Sequence, residues 1–104
     1  MQKYSVEILP PAWIELDEIA EYHLHTVGIN SAKKVTDNII SALERLKQYP
    51  LSCPYVPDEE LRMQEYRMLV CDKYVCIYKL IGNTVYVYHI VHGSKEYSAL
   101  FKTK

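Results

Sequence analysis

The chain lacks most of what would mark a protein for membranes, secretion or tight binding to nucleic acid. No apolar run approaches the ~18 residues that a membrane-spanning helix needs. Met1-Gln2-Lys3 leads straight into a strand pattern, so no targeting segment is expected. The 3 cysteines, Cys53, Cys71 and Cys76, form no CxxC pair. An odd number without a signal peptide points to reduced thiols and a cytoplasmic location. The formal net charge of −1 argues against a uniformly basic binder of nucleic acid. Repeats, low-complexity tracts and a second domain are all missing. Residues 1–104 are therefore expected to form one domain with one modest core, and an apolar share of 49 % suffices for it without disulfides or metal.

What is present is unevenly spread. Residues 1–65 hold 6 Lys+Arg against 11 Asp+Glu, a balance of −5, whereas residues 66–104 hold 6 against 2, a balance of +4. A basic second half behind an acidic first half predicts a surface that faces a polyanion or an acidic partner.

The apolar spacing gives the order of elements. Tyr4, Val6 and Ile8 alternate with polar residues as in a half-buried strand, and Pro10-Pro11 ends it. Trp13, Leu16, Ala20 and Leu24 recur at helical spacing, with Glu15, Asp17, Glu18 and Glu21 in the early turns, where the helix dipole favours anions. Gly28 is a natural stop. A second helix, capped by Asn30 or Ser31, carries the stripe Ala32, Val35, Ile39, Ala42, Leu43 and Leu46 up to Pro50. Leu51 to Glu60 reads as a loop. Tyr66–Cys71, Tyr74–Ile81 and Thr84–Val91 read as strands, and Glu96–Phe101 as a short helical turn.

The Gly82-Asn83 turn implies a register, because both residues accept positive φ. Lys79 should face Tyr86, Ile77 should face Tyr88, and Val75 should face Ile90. One sheet face then carries Lys79, Tyr86, Tyr88 and, past the strand end, His92. The other carries Tyr74, Cys76, Tyr78, Leu80, Val85, Val87 and His89, which is the better platform for two helices. A strict two-residue turn at Asp72-Lys73 would put Arg67 beside Tyr78, under the helices. An unpartnered buried guanidinium costs several kcal/mol. A longer turn or a bulge is therefore expected, bringing Arg67 to the Lys79 face and leaving Tyr66, Met68 and Val70 in the core.

The ordered set Tyr66-Arg67, Tyr74-x-Cys76-x-Tyr78, Val85-x-Val87 and His92-Gly93-Ser94-Lys95-Glu96-Tyr97 resembles the RelE/ParE toxin superfamily, and the front half agrees. The resemblance spans nearly the whole chain. It implies an α+β fold: an N-terminal strand, a two-helix hairpin and a three-stranded antiparallel meander, with the helices on one face. It also implies the toxin of a type II toxin–antitoxin module (plasmid stabilisation), held by a cognate antitoxin, with no cofactor and no membrane role. Its target would be DNA gyrase, or the ribosome and its mRNA. Matched by position, Arg67 falls where RNA-cleaving members carry a basic residue, and His92 near a histidine of some of them. Arg67 would hold phosphate, Lys95 offset developing charge and His92 move a proton, helped by Tyr97. The arginine usual on the next strand is Val75 here, and the basic cluster after the last strand is thinned to Ser94-Lys95. Both departures favour a ParE-like inhibitor of gyrase without catalysis over a metal-independent endoribonuclease. A third reading is a non-toxic module that only binds its antitoxin.

Plainer roles exist for each residue. Arg67 can pair structurally, His92 can end a strand, and Lys95 and Tyr97 can be a solvated turn and a packing ring. His89 reads as a satisfied core histidine. His89 and His92 point to opposite faces, as do His23 and His25, so neither pair shares a metal. Cys71 and Cys76 have no base-plus-orienter arrangement to make a thiol nucleophile.

Overall fold

The computed structural model describes residues 3–101. Strand β1 (Ser5–Ile8) leads into helices α1 (Pro10–Thr26) and α2 (Ile29–Glu44), the latter extended by a 3₁₀ turn at Arg45–Lys47. A short helix α3 (Glu59–Met63) precedes β2 (Arg67–Cys71), β3 (Tyr74–Ile81) and β4 (Thr84–His92), and a 3₁₀ turn at Tyr97–Leu100 follows. The four strands form one sheet in the order β1-β4-β3-β2, antiparallel except that β1 runs parallel to β4. Ala12 and Leu16 of α1 and Ile39, Ala42 and Leu43 of α2 share one buried cluster with Tyr74, Cys76, Tyr78, Val85 and Val87. Both helices thus lie on one face of the sheet, as expected.

Several local expectations are corrected. The stripe of α1 is rotated: Ala12 and Leu16 are buried and Ile19 partly so, whereas Trp13 and Leu24 are 49 % and 44 % exposed. The first turn of α1 holds no acidic residue, because the helix starts at Pro10. Gly28, at φ 145°, is the N-cap of α2, which begins at Ile29, so Asn30 and Ser31 lie inside the helix and neither caps it. The segment read as loop ends in α3, whose N-cap Asp58 accepts the Leu61 N–H at 3.0 Å.

The register is kept next to the turn and lost beyond it. Lys79 pairs with Tyr86 and Tyr78 with Val87, but a bulge follows and Ile77 pairs with His89. β4 carries the extra residue, so Tyr88 and His89 both lie opposite Ile77 and both touch Phe101. The expected pairs Ile77 with Tyr88 and Val75 with Ile90 are therefore wrong. Beyond the bulge the alternation is inverted: Ile90 joins the helix-side cluster, and His92 follows it to that side.

The turn at Asp72-Lys73 is the strict two-residue one, with Asp72 at φ 60°, and Arg67 pairs with Tyr78. The longer turn was expected on the premise that Arg67 would lack partners. The Leu51–Pro54 segment supplies them. Leu69 enters the helix-side core, while Val70 is 60 % exposed. Tyr66 and Met68 pack on the far side of the sheet, in a second cluster with Val56, Leu61, Ile77 and Tyr88. The sheet is thus covered on both faces: by helices on one, and by the 54–66 segment and the Tyr97–Phe101 turn on the other.

Candidate functional site

The proposed site residues converge only in part: His92 and Lys95 border one cleft, whereas Arg67 and Tyr97 stand apart from it. Arg67 lies on edge strand β2. Its Nη1 donates to the Cys53 carbonyl at 2.6 Å, and its guanidinium sits 4.1 Å above the Tyr55 ring centroid. The backbone of Met68 donates to the Pro54 carbonyl at 3.0 Å, so strand and loop are laced together at this point. Arg67 is spent on fixing a loop. Its partner on β3 is Tyr78, whereas the partner of His92 is Tyr74. Four residues of strand separate those partners, about 13 Å, so the two side chains cannot grip one phosphate.

Lys79, Tyr86 and Tyr88 do share the face away from the helices, but Arg67 and His92 do not. Lys79 Nζ stands 4.8 Å over the Tyr66 ring. Tyr88 meets Tyr66 edge-on, with centroids 5.1 Å apart. Burial raises the Tyr66 phenol above its ordinary pKa, and the neighbouring Tyr88 adds to this. The Tyr97 hydroxyl accepts the Asp58 N–H at 3.3 Å and thereby ties the C-terminal turn to the start of α3.

His92 sits at the end of β4, against the edge of the Tyr74 ring. The Ser94 N–H points at its Nδ1 at 3.1 Å, and the Ser94 hydroxyl lies 2.8 Å from the same nitrogen. A backbone N–H can only donate, so Nδ1 accepts and the neutral ring carries its proton on Nε2. His92 therefore presents a donor outward. A base for abstracting a proton would need the other tautomer.

Beside His92 lies a cleft of about 410 Å³ between α1 and the end of β4. Lys73, Lys95, His92, His23 and Tyr22 line it over a floor that includes Ile19 and Ile90. One wall is made rigid by hydrogen bonds: His23 lies 2.8 Å from the Tyr74 hydroxyl and 2.9 Å from Ser31 Oγ, which joins α1, β3 and α2. At the other end Glu15 accepts the Ile90 N–H at 2.9 Å and meets His89 Nδ1 at 2.9 Å. His89 is satisfied, as the sequence implied, but by a helix carboxylate and on the bulged side of the strand. Among the described residues, no group of three or more His, Cys, Asp or Glu is placed to hold a metal ion.

A second concavity, about 660 Å³, runs between α1 and α2 on their outer side. Ile14, Leu24 and Ile29 give it an apolar floor, and Asp17, Glu21 and Asp37 an acidic rim. The sequence signal for it lay in α1, where Trp13, Ile14, Tyr22 and Leu24 cannot all face one core. No described helix is long and apolar enough to cross a membrane.

A two-helix hairpin packed on one face of a β1-β4-β3-β2 sheet defines the class: a RelE/ParE-like toxin of the type II toxin–antitoxin kind. Residues 6–97 match the ParE toxin of the type II toxin–antitoxin system, parDE, and the chain belongs to that family. Several solved structures share the fold, among them two toxin–antitoxin structures. One is a chromosomal ParDE toxin–antitoxin system from P. aeruginosa, with TM-score 0.73 and 19 % identity over 86 % of this chain and 95 % of that one. The other is the toxin–antitoxin complex RelBE2 from Mycobacterium tuberculosis, with TM-score 0.66 and 14 % identity over 91 % of this chain and 97 % of that one. No curated protein matches the sequence.

Proposed function

We propose that this toxin acts by binding, as an inhibitor of DNA gyrase, and cuts no RNA. The separation of Arg67 from His92 carries this reading. Metal-free cleavage of RNA needs a phosphate clamp and a proton carrier within hydrogen-bond reach of one substrate group. Here the clamp candidate is pinned to a loop carbonyl, the proton carrier holds the donor tautomer, and about 13 Å of strand lies between them.

A cognate antitoxin is the second part of the proposal. Both structural neighbours are described as toxin–antitoxin systems or complexes. The groove between α1 and α2 suits an amphipathic helix whose apolar face meets Ile14, Leu24 and Ile29 and whose basic flank meets Asp17, Glu21 and Asp37.

The test is expression without the antitoxin, read separately as DNA supercoiling and mRNA cleavage. Growth arrest with loss of supercoiling and intact transcripts is expected. Prompt ribosome-dependent cleavage would refute the reading, and normal growth would mean an antitoxin-binding module without toxicity.

A further inference from the structure

The cleft between α1 and the end of β4 is rich in donors that no other described residue uses. The side chains of Lys73 and Lys95 make no hydrogen bond or ion pair with another described residue. The outward Nε2–H of His92 is a third donor, because the Ser94 N–H holds the proton on that side of the ring. Three donors from separate segments thus border one concavity: the β2–β3 turn, the end of β4 and the turn after it. The segments are locked together. Gly93 N–H donates to the Lys73 carbonyl at 2.8 Å, and Lys95 N–H to the His92 carbonyl at 2.9 Å.

Across from these donors stands the carboxylate of Glu18, which also makes no hydrogen bond or ion pair with another described residue. Glu15 lines the same wall but is occupied by His89 and the Ile90 N–H. Asp17 and Glu21, on the same helix, line the groove against α2, so Glu15 and Glu18 are the carboxylates of the cleft itself. A polyphosphate strand laid across this cleft would run into that acidic helix. A single carboxylate from a protein would not, and a basic residue beside it would meet Glu18. The floor of Ile19 and Ile90 accepts an apolar residue between the two.

We propose that this cleft docks a protein segment bearing an acidic side chain and a basic one close by, the carboxylate held by Lys73, Lys95 and His92 and the cation by Glu18. The proposal deepens the reading of this chain as a toxin with a protein target, and it assigns His92 a recognition role in place of proton transfer.

The test is an NMR titration of the purified full chain with the N-acetylated, C-amidated pentapeptide Ala-Glu-Leu-Lys-Ala. Saturable shifts at the His92 ring and at the Lys73 and Lys95 side chains are expected. Affinity should fall by about tenfold when the peptide's Glu is replaced by Gln, and similarly in the Lys73→Glu, Lys95→Glu double variant. Neither lysine side chain bonds another described residue, so that variant keeps its fold, which dispersion of the amide spectrum checks. Equal binding of the Gln peptide, or shifts confined to another surface, would overturn the proposal. An oligouridylate that displaces the peptide and binds more tightly would overturn the assignment to a protein segment. None of these readouts depends on toxicity. Failure here leaves the supercoiling assay to judge the gyrase reading, and failure there leaves the cleft to be judged by titration.

Discussion

Arg67 offers the sharpest discrimination between a structural and a catalytic role. In the structure its guanidinium donates a short, charge-assisted bond to the Cys53 carbonyl and covers the Tyr55 ring. A hydrogen bond to a charged group contributes about 1.5–3 kcal/mol, and a cation–π contact at a partly exposed ring about 0.5–1 kcal/mol. The Nη1 contact to the Leu51 carbonyl, at 3.4 Å, is too long to add much. Arg67→Ala should then lose about 2–3 kcal/mol, taking the lower part of the range because water can reach the freed carbonyl. For a domain of this size that corresponds to a fall in Tm of roughly 8–16 °C at the lower figure. The assay is thermal unfolding followed by circular dichroism, with protection of the 51–56 amides measured by hydrogen exchange. Loss of protection should centre on the Val56 N–H, which donates to the Tyr66 carbonyl, and the Met68 N–H, which donates to the Pro54 carbonyl. A surface arginine with no such duty would move stability by less than about 0.5 kcal/mol. If Arg67→Ala melts within about 2 °C of the parent, or leaves exchange at Val56 and Met68 unchanged, the structural assignment is wrong and Arg67 is free for other work.

Leu61→Ala should cost about 2–5 kcal/mol by leaving a cavity in the second cluster, although the residue sits in a five-residue helix; chemical denaturation measures it. Stability should also fall in alkali. Burial pushes the Cys76 thiol from 9.0 up to about 12 and raises the Tyr78 phenol as well. The folded state therefore holds these protons more tightly than the unfolded chain, so the stabilisation is complete below pH 9 and is lost as pH climbs toward about 12. Denaturation midpoints from pH 7 upward should stay flat and then drop, and Cys76→Ala should flatten the drop; a slope unaffected by that substitution would contradict the burial argument. In the groove between the helices, Leu24→Glu should weaken capture of the antitoxin by at least about tenfold without lowering Tm, because the residue is exposed; calorimetric titration checks it.

The sequence made the element order legible because each piece has a strong local cause. Gly82 accepts φ 62° at the tight turn, Pro10-Pro11 separates strand from helix, and the Ile39–Leu46 stripe sits under α2 as spaced. What stayed hidden depends on contacts between distant segments. The bulge near Ile77 has no local marker such as glycine; it allows both Tyr88 and His89 to pack on Phe101. That one extra residue moved His92 to the other side of the sheet. The expectation for Arg67 failed for a related reason. A buried guanidinium is costly only when unpartnered, and its partners come from backbone carbonyls, whose direction no sequence pattern displays. The rotation of α1 was missed because the helix has more apolar residues than its core face can take, and Ala12 with Leu16 proved the buried pair.

The second cluster explains why the far face of the sheet carries so little free chemistry. A four-stranded sheet with helices on one side leaves its other side exposed, and a toxin that grips RNA there must keep that side open and charged. In this chain the segment from Pro54 to Tyr66 crosses it instead. On that face Lys79 caps the Tyr66 ring and Tyr97 ties the C-terminal turn to Asp58, while Arg67, from the other side of the edge strand, grips the loop that leads into the cover. Val56 and Leu61 then exclude water from Ile77. A cation spent on a carbonyl or a ring cannot also stabilise a developing phosphate charge without releasing that contact. Cover and catalysis would compete for such side chains, and the proposal of a binding toxin rests on their being held by the cover. Among the described residues, the cleft beside His92 gathers donors and the groove on the helical hairpin gathers exposed apolar groups. Both lie on the helix side, and it is there that the proposed recognition of protein partners is placed.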